Sequence, residues 1–305
     1  MSNSSRVREF LLLGFSEVRE LQLVHAVLFL LVYLATLMGN LLIIAITALD
    51  RRLHTPMYFF LRNLSLIDIC LISITVPKSV TISLTNCRSI SFLNCAIQLL
   101  LVVLFAVSEF FILMVMSYDR YVAICLPLRY EVIMKAGACG KMAAVSWLSG
   151  GLMGVLFSAS IFSLSFCGSN VVQQFFCDVP SLLKITCSED HSAINVGVTL
   201  ALAICAVGFI SIVTSYVHIF WAVLRMPAAE GRARAFSTCL PHLVVFTVFL
   251  STGMVGYLKP PSHSSTVFDL LLSVFYVVMP PALNPLIYSL RNRDLKAALW
   301  TVLKR

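Results

Sequence analysis

Met116-Ser117-Tyr118-Asp119-Arg120-Tyr121-Val122-Ala123-Ile124-Cys125 sets an acid beside a base at the end of a long apolar run. The run begins near Cys95, 25 residues before Arg120. At about 1.5 Å per residue a helix between them is roughly 37 Å long, enough to cross a hydrocarbon core of about 30 Å. Asp119 and Arg120 then fall at a membrane–water boundary. Charge is costly in lipid, so a pair at its edge suggests a contact that is held and can be released.

The rest of the chain fits that reading. Of 305 residues, 59% are hydrophobic and 12% charged, where a soluble domain carries about 25% charged residues. A mean hydropathy of +0.94 leaves too little polar surface to cover a globule in water. The net charge of +8 does not point to nucleic acid, because the basic residues cluster in short segments between apolar runs, the pattern of loops held at a membrane face. No cleavable signal peptide is expected, since the first 20 residues are polar and mixed.

Seven apolar runs of spanning length are predicted: His25–Leu49, Pro56–Ser79, Cys95–Leu126, Cys139–Ser163, Ala193–Leu224, Ala235–Leu258 and Val267–Leu290. The expected fold is an all-α membrane protein, a seven-helix transmembrane bundle in one domain, with residues 1–24 as an outer tail and 291–305 as an inner one. With the N-terminus outside, 15 of the 22 basic residues fall on the cytoplasmic side and 7 outside, which supports that orientation. Asn3-Ser4-Ser5 is then a glycosylation sequon on the outer tail. Leu295, Leu299 and Val302 recur at helical spacing among basic residues, so a short amphipathic helix is expected on the inner leaflet, with membrane lipid as its partner.

Ten cysteines divide by place. Cys95, at the outer end of the third span, joins Cys167, Cys177 and Cys187 of the following long loop on the side where disulfides are allowed. Four cysteines permit three pairings, and two bridges would make that loop a lid.

Two acids lie within the membrane. Asp68 is about 18 Å from the cytoplasmic start of the second span, and Glu109 is about 16 Å from Arg120, pointing to within about 20° of the same face. Two buried carboxylates cannot both stay charged without compensation. They share a proton, bind a cation such as sodium, or meet a water cluster. A transporter would use such a pair as an ion relay, and a switch protein would use it as a polar hinge. Seven spans without an inverted repeat or paired broken segments favour the switch. No HExxH, GxSxG or Gly-rich phosphate loop occurs and the six histidines do not cluster, so neither an enzyme nor a cofactor is expected.

Taken together, Asp119-Arg120-Tyr121 and Asn284-Pro285-Leu286-Ile287-Tyr288 in seven spans resemble the rhodopsin-like G-protein-coupled receptors. Leu53-His54-Thr55-Pro56-Met57-Tyr58-Phe59, the Met116–Cys125 stretch, Arg234-Ala235-Phe236-Ser237-Thr238-Cys239 and Pro281–Asn292 narrow the resemblance to the odorant receptors of the tetrapod type (class II), close to their family 14 subgroup. The resemblance covers nearly the whole chain. It implies that Arg120 pairs with Asp119 at rest, that Tyr121, Tyr216, Asn284, Pro285 and Tyr288 complete the switch, and that Asp68 and Glu109 are the family's acid pair. It implies bridges Cys95–Cys177 and Cys167–Cys187. It also implies a volatile odorant as ligand and an olfactory-type stimulatory G protein that raises cyclic AMP. The sixth-span segment departs from the family's Phe-Tyr-Gly-Thr, reading Phe249-Leu250-Ser251-Thr252.

The ligand site is expected above the acids, opening outward. Helical phase selects Leu99, Val102, Val103 and Ala106 on the third span, Leu200, Ala201 and Ile204 on the fifth, Leu250, Gly253 and Tyr257 on the sixth, and Tyr276 on the seventh. These are almost all apolar, with Tyr257 and Tyr276 as hydroxyl donors. A small dry pocket for an uncharged volatile is expected.

Overall fold

The computed structural model describes residues 9–16, 18–166, 169–187, 192–225, 229–258, 267–291, 295 and 297. In chain order the elements are strand β1 (Glu9–Leu12), α1 (Arg19–Leu49), α2 (Pro56–Thr85), strand β2 (Ser89–Ser91), α3 (Phe92–Cys125), the one-turn α4 (Tyr130–Ile133), α5 (Ala136–Phe162), strand β3 (Val171–Val172), the short α6 (Val179–Leu183), α7 (Ser192–Leu224), α8 (Ala229–Leu258) and α9 (Val267–Arg291). Among the described residues, six helices are long and apolar enough to cross a membrane, and the apolar stretch of α9 is shorter, Ser273–Tyr288.

Local chemistry sets the ends of several helices. Pro56 starts α2 at a position where its missing N–H costs nothing. Asn86 closes α2 at φ 56°, a left-handed turn that asparagine tolerates. Ser91 caps α3 by accepting the Asn94 N–H at 3.2 Å. At the bundle's surface the usual polarity is inverted. On α1, Val27, Leu28, Leu31 and Met38 are exposed, while Thr36, Asn40 and Thr47 are buried. In lipid an apolar exterior costs nothing, whereas a polar group must find a partner inside. Thr47 does so on its own helix, donating to the Ile43 carbonyl at 2.7 Å.

Helix α3 lies at the centre, packed against α2, α5, α7 and α8. Its approach to α5 depends on two glycines one turn apart. A Cβ at Gly150 would collide with Ser108 Oγ and the Leu104 carbonyl, and one at Gly154 would sit 2.6 Å from the Leu100 carbonyl. A Cβ at the intervening Gly151 would meet nothing within 4 Å. Small residues let membrane helices approach until their backbones touch. Gly150→Val is therefore expected to cost at least about 1–3 kcal/mol of overpacking and most of the surface-expressed protein. Gly151→Val should express at the native level. Equal expression of the two, measured by surface labelling, would refute this account of the α3–α5 contact.

Residues 9–12 form part of the fold. β1 is the central strand of a three-stranded sheet of order β2-β1-β3. It runs antiparallel to β2 (Phe10 opposite Ile90) and parallel to β3 (Leu11 opposite Val171). Phe10 and Leu12 are buried while Glu9 and Leu11 face out. Phe10 closes an aromatic cluster with Phe92, Phe162 and Phe166 at centroid distances of 6.0, 6.4 and 5.1 Å. This sheet, with α6, roofs one end of the bundle.

Several boundaries differ from the sequence reading. Helix α1 begins at Arg19, earlier than the apolar run, because the Arg19 guanidinium caps the end of α2 through the Ser83 and Leu84 carbonyls at 3.1 and 2.7 Å. Helix α2 continues through Pro77 to Thr85. The amphipathic helix expected over 291–305 lies almost wholly outside the described residues, including Leu299 and Val302. Leu295 is buried in the bundle's central cluster.

Candidate functional site

One column of residues runs down α3 from the roof to the far end, and three clusters lie along it. The middle cluster is polar. Asp68 of α2 and Glu109 of α3 are both fully buried, and Asn284 of α9 stands between them. Asn284 Nδ2 donates to Asp68 at 3.2 and 3.0 Å and to Glu109 Oε1 at 3.3 Å. One amide thereby ties three helices. Glu109 Oε2 is buried with no partner, as is the Tyr288 hydroxyl one turn below Asn284. Nearby, Asn40 of α1 donates to the Pro281 carbonyl at 3.1 Å. Ser108, beside Glu109 in sequence, turns away toward α5 and donates to the Ser146 carbonyl at 3.3 Å.

At the end away from the roof, Arg120 donates to Asp119 from Nε at 3.0 Å and also through Nη2. Asp119 is fully buried and the Arg120 side chain is 13% exposed. Tyr130, on α4, donates its hydroxyl to the other Asp119 oxygen at 2.8 Å. Burial, reinforced by the Asp119 charge, pushes the Tyr130 phenol above its ordinary range. A second contact joins α3, α7 and α8. His242 Nε2 lies 2.8 Å from the Leu113 carbonyl, and its Nδ1 lies 2.7 Å from the Tyr216 hydroxyl. A carbonyl can only accept, so Nε2 carries the proton and Tyr216 donates to Nδ1. Tyr216 is thus held by His242 rather than by Arg120 or Tyr288. Tyr121 packs its ring 5.8 Å from that of His218 on α7. Pro285 lies inside α9 against Gly39 of α1, where an added Cβ would come within 2.9 Å.

Between the polar cluster and the roof the column is apolar. Leu99, Val102 and Val103 are buried, and Ala106, Ala201, Ile204, Leu250, Gly253 and Tyr276 are half-buried. Val102, Ile204, Leu250 and Tyr276 belong to or pack on one cluster with Phe175 and Phe176 of the roof. Leu99 and Val103 belong to its neighbour, with Ala201 and Ile204 against them. A Cβ at Gly253 would meet none of the described residues within 4 Å. Leu200 corrects the expectation. It is 43% exposed, because the inward face of α7 follows Ile194, Gly197, Ala201 and Ile204, and Leu200 falls off that row. The Tyr257 side chain lies outside the described residues.

The roof is tied down at several points. Cys95 and Cys177 form a disulfide with a Cα separation of 5.6 Å, closing 82 residues of sequence. Cys187 is also disulfide-bonded; Cys167, its expected partner, and Asn3, the expected glycosylation site, lie outside the described residues. Gln98 bridges two elements, accepting the Cys177 N–H at 2.9 Å and donating to the Ile74 carbonyl at 2.9 Å. Asp178 caps α6 through the Ser181 N–H at 3.0 Å and accepts the Tyr276 hydroxyl at 2.7 Å. Burial raises the Asp178 carboxyl above its ordinary range, against the lowering effect of its hydrogen bonds from the Ser181 side chain, Tyr276 and the Ser181 N–H and of the Lys184 charge.

A family model described as olfactory receptor matches residues 29–305. The chain belongs to the olfactory receptor family. Human Olfactory receptor 14A2 is 55% identical over 305 residues, covering 100% of this chain and 97% of that protein. Human Olfactory receptor 14K1 is 53% identical over 303 residues, covering 99% and 96%. The crystal structure of squid rhodopsin shares the seven-helix fold at a TM-score of 0.73 and 17% identity, covering 94% of this chain and 86% of that one. An olfactory receptor of this architecture is a multi-pass plasma-membrane signalling protein and not an enzyme.

Four residues of this olfactory receptor's site escaped the sequence reading: Gln98, Asp178, Tyr130 and His242. Gln98 and His242 each interrupt an apolar run, a signal available from the start, since a lone polar side chain in a span must find a partner. Asp178 and Tyr130 sit in the connections between spans and gain their roles only when a distant helix comes alongside.

Proposed function

We propose that this receptor takes a small, mostly apolar volatile odorant between the roof and the acid pair and activates an olfactory-type stimulatory G protein, raising cyclic AMP. In this reading the roof and the N-terminus face the outside, and the Asp119–Arg120 end faces the cytoplasm. The observation that carries it is the order of parts along α3. The disulfide-pinned roof comes first, then an apolar column, the buried acids, and a releasable ion pair at the far end. Such a column passes a change of packing from one face of a membrane to the other through contiguous contacts. The apolar lining of the column supports a ligand there, since binding sites between helices are lined mainly by apolar groups.

A screen of volatile compounds against cells expressing the receptor tests this, with cyclic AMP as readout. Arg120→Ala is expected to abolish every response while the receptor still reaches the surface. Gly253→Leu should lose the larger active compounds first. Responses that persist in Arg120→Ala would sink the coupling assignment.

Asp68 and Glu109 are proposed to share one proton or hold a small monovalent cation such as sodium at rest, and the unpartnered Glu109 Oε2 supports that. Replacing extracellular sodium by choline is then expected to change basal cyclic AMP in the native receptor and to have no effect in Glu109→Gln. The same sodium response in both would assign the pair a purely structural role.

A further inference from the structure

The roof meets the last helix of the bundle at a polar contact between Asp178 and Tyr276. Asp178 is 3% exposed, and the groups that hydrogen-bond to it, the Tyr276 hydroxyl and the hydroxyl and N–H of Ser181, are neutral. Lys184, at the far end of α6, acts on it only as a distant charge. The edge of the Tyr276 ring also meets Phe176 at 5.9 Å. Tyr276 therefore touches the roof through both its ring and its hydroxyl.

What lies below Tyr276 makes that contact consequential. Pro280 and Pro281 follow four residues after Tyr276 and Val277. A proline has no N–H, so the carbonyls of Tyr276 and Val277 lose their helical donors, and the α9 backbone is free to bend there. Beneath the bend come Asn284, which ties the acid pair, and Tyr288, buried toward the switch end. Tyr276 and Asn284 are eight residues apart, about 12 Å along the helix. A hinge thus separates the roof contact from the polar cluster.

We propose that the Asp178–Tyr276 contact is a latch by which the roof restrains the hinge in α9, and that a ligand bearing a hydrogen-bond donor, a hydroxyl or an amine, opens it by taking the place of Tyr276 at Asp178. This rests on the reading that the ligand lies in the column under the roof. A carboxylate bonds a donor and repels an acceptor. Alcohols and amines compete for Asp178, whereas an ether of the same size offers only an acceptor and leaves the latch closed.

Hydrogen exchange on the purified receptor in lipid nanodiscs tests this without any G protein. Peptides covering residues 169–187 and 277–288 are followed in the native protein, Tyr276→Phe, Asp178→Asn and the double variant. Tyr276→Phe removes one oxygen and keeps the ring, so the fold should survive. Each single variant is expected to speed exchange in both segments by about fivefold, the loss of one hydrogen bond, with no further gain in the double. Unchanged exchange at 169–187 in Tyr276→Phe overturns the latch, and a change confined to 169–187 overturns its link to the hinge. Alkan-1-ols, alkylamines and the matching methyl ethers are then added. Faster exchange with the alcohols or amines, lost in Asp178→Asn and absent with the ethers, is the expected result. Equal effects of ethers and alcohols, or none with any donor, overturn the ligand assignment. If these shifts occur but no cyclic AMP is made, the coupling assignment fails and the latch stands.

Discussion

Asn284→Ala is expected to lower surface receptor by at least about tenfold and to destabilise the purified protein to heat. The Asn284 amide is the donor that both Asp68 and Glu109 share, and all three side chains are buried. Removing one partner from a buried charged cluster costs about 3–5 kcal/mol, because the remaining groups stay dehydrated with nothing to compensate them. The contact also fastens α9 to α2 and α3, so its loss frees a whole helix. Glu109→Gln in the Asn284→Ala background supplies a new amide beside Asp68 and should recover part of the loss. Native expression and heat resistance in Asn284→Ala would show that the three helices are held by apolar packing alone.

The second large effect is expected at the roof. Cys95→Ser and Cys177→Ser should each abolish surface expression, and the double variant should be no worse than either. The bridge closes 82 residues, and a loop of that length corresponds to about 4–5 kcal/mol of chain entropy. Part of that is already spent where α3 and α5 remain inserted, so roughly 2–4 kcal/mol is the expected loss. Gln98 supplies the contrast. It binds the backbone of Cys177, so Gln98→Ala should weaken the roof by about 1–3 kcal/mol through an unpaired buried N–H. Surface labelling of the four variants ranks them. A Gln98 variant as damaged as the cysteine variants would mean that the hydrogen bond, and not the covalent link, places the roof.

Much of the molecule was legible in its chain. Apolar length set the spans, because a bilayer imposes one thickness on every helix that crosses it. Eleven residues at 100° each set Glu109 on the inward face of α3 with Arg120, and the structure buries Glu109 fully and leaves the Arg120 side chain 13% exposed. Phase was equally informative for Leu99, Val102 and Ile204. It failed for Leu200 because α7 presents few large inward side chains, and the positions of Gly197 and Gly208 set its packing face. The strand at Glu9–Leu12 had no usable signal. Four alternating residues are too few to read, and their partners, Ile90 and Val171, lie far away in sequence.

The sequence by itself determined that this is a membrane bundle and that Glu109 lies on the inward face of its third span. Each of these follows from distance along one helix or from the cost of charge in lipid, and both are local. Only the tertiary structure decided that Asn284 stands between Asp68 and Glu109, that His242 holds Tyr216, and that Asp178 takes the hydroxyl of Tyr276. Those pairs join residues 26 to 216 positions apart. A buried polar group must be satisfied by whichever neighbour the packing of the helices brings within about 3 Å, and no periodicity along the chain encodes that neighbour.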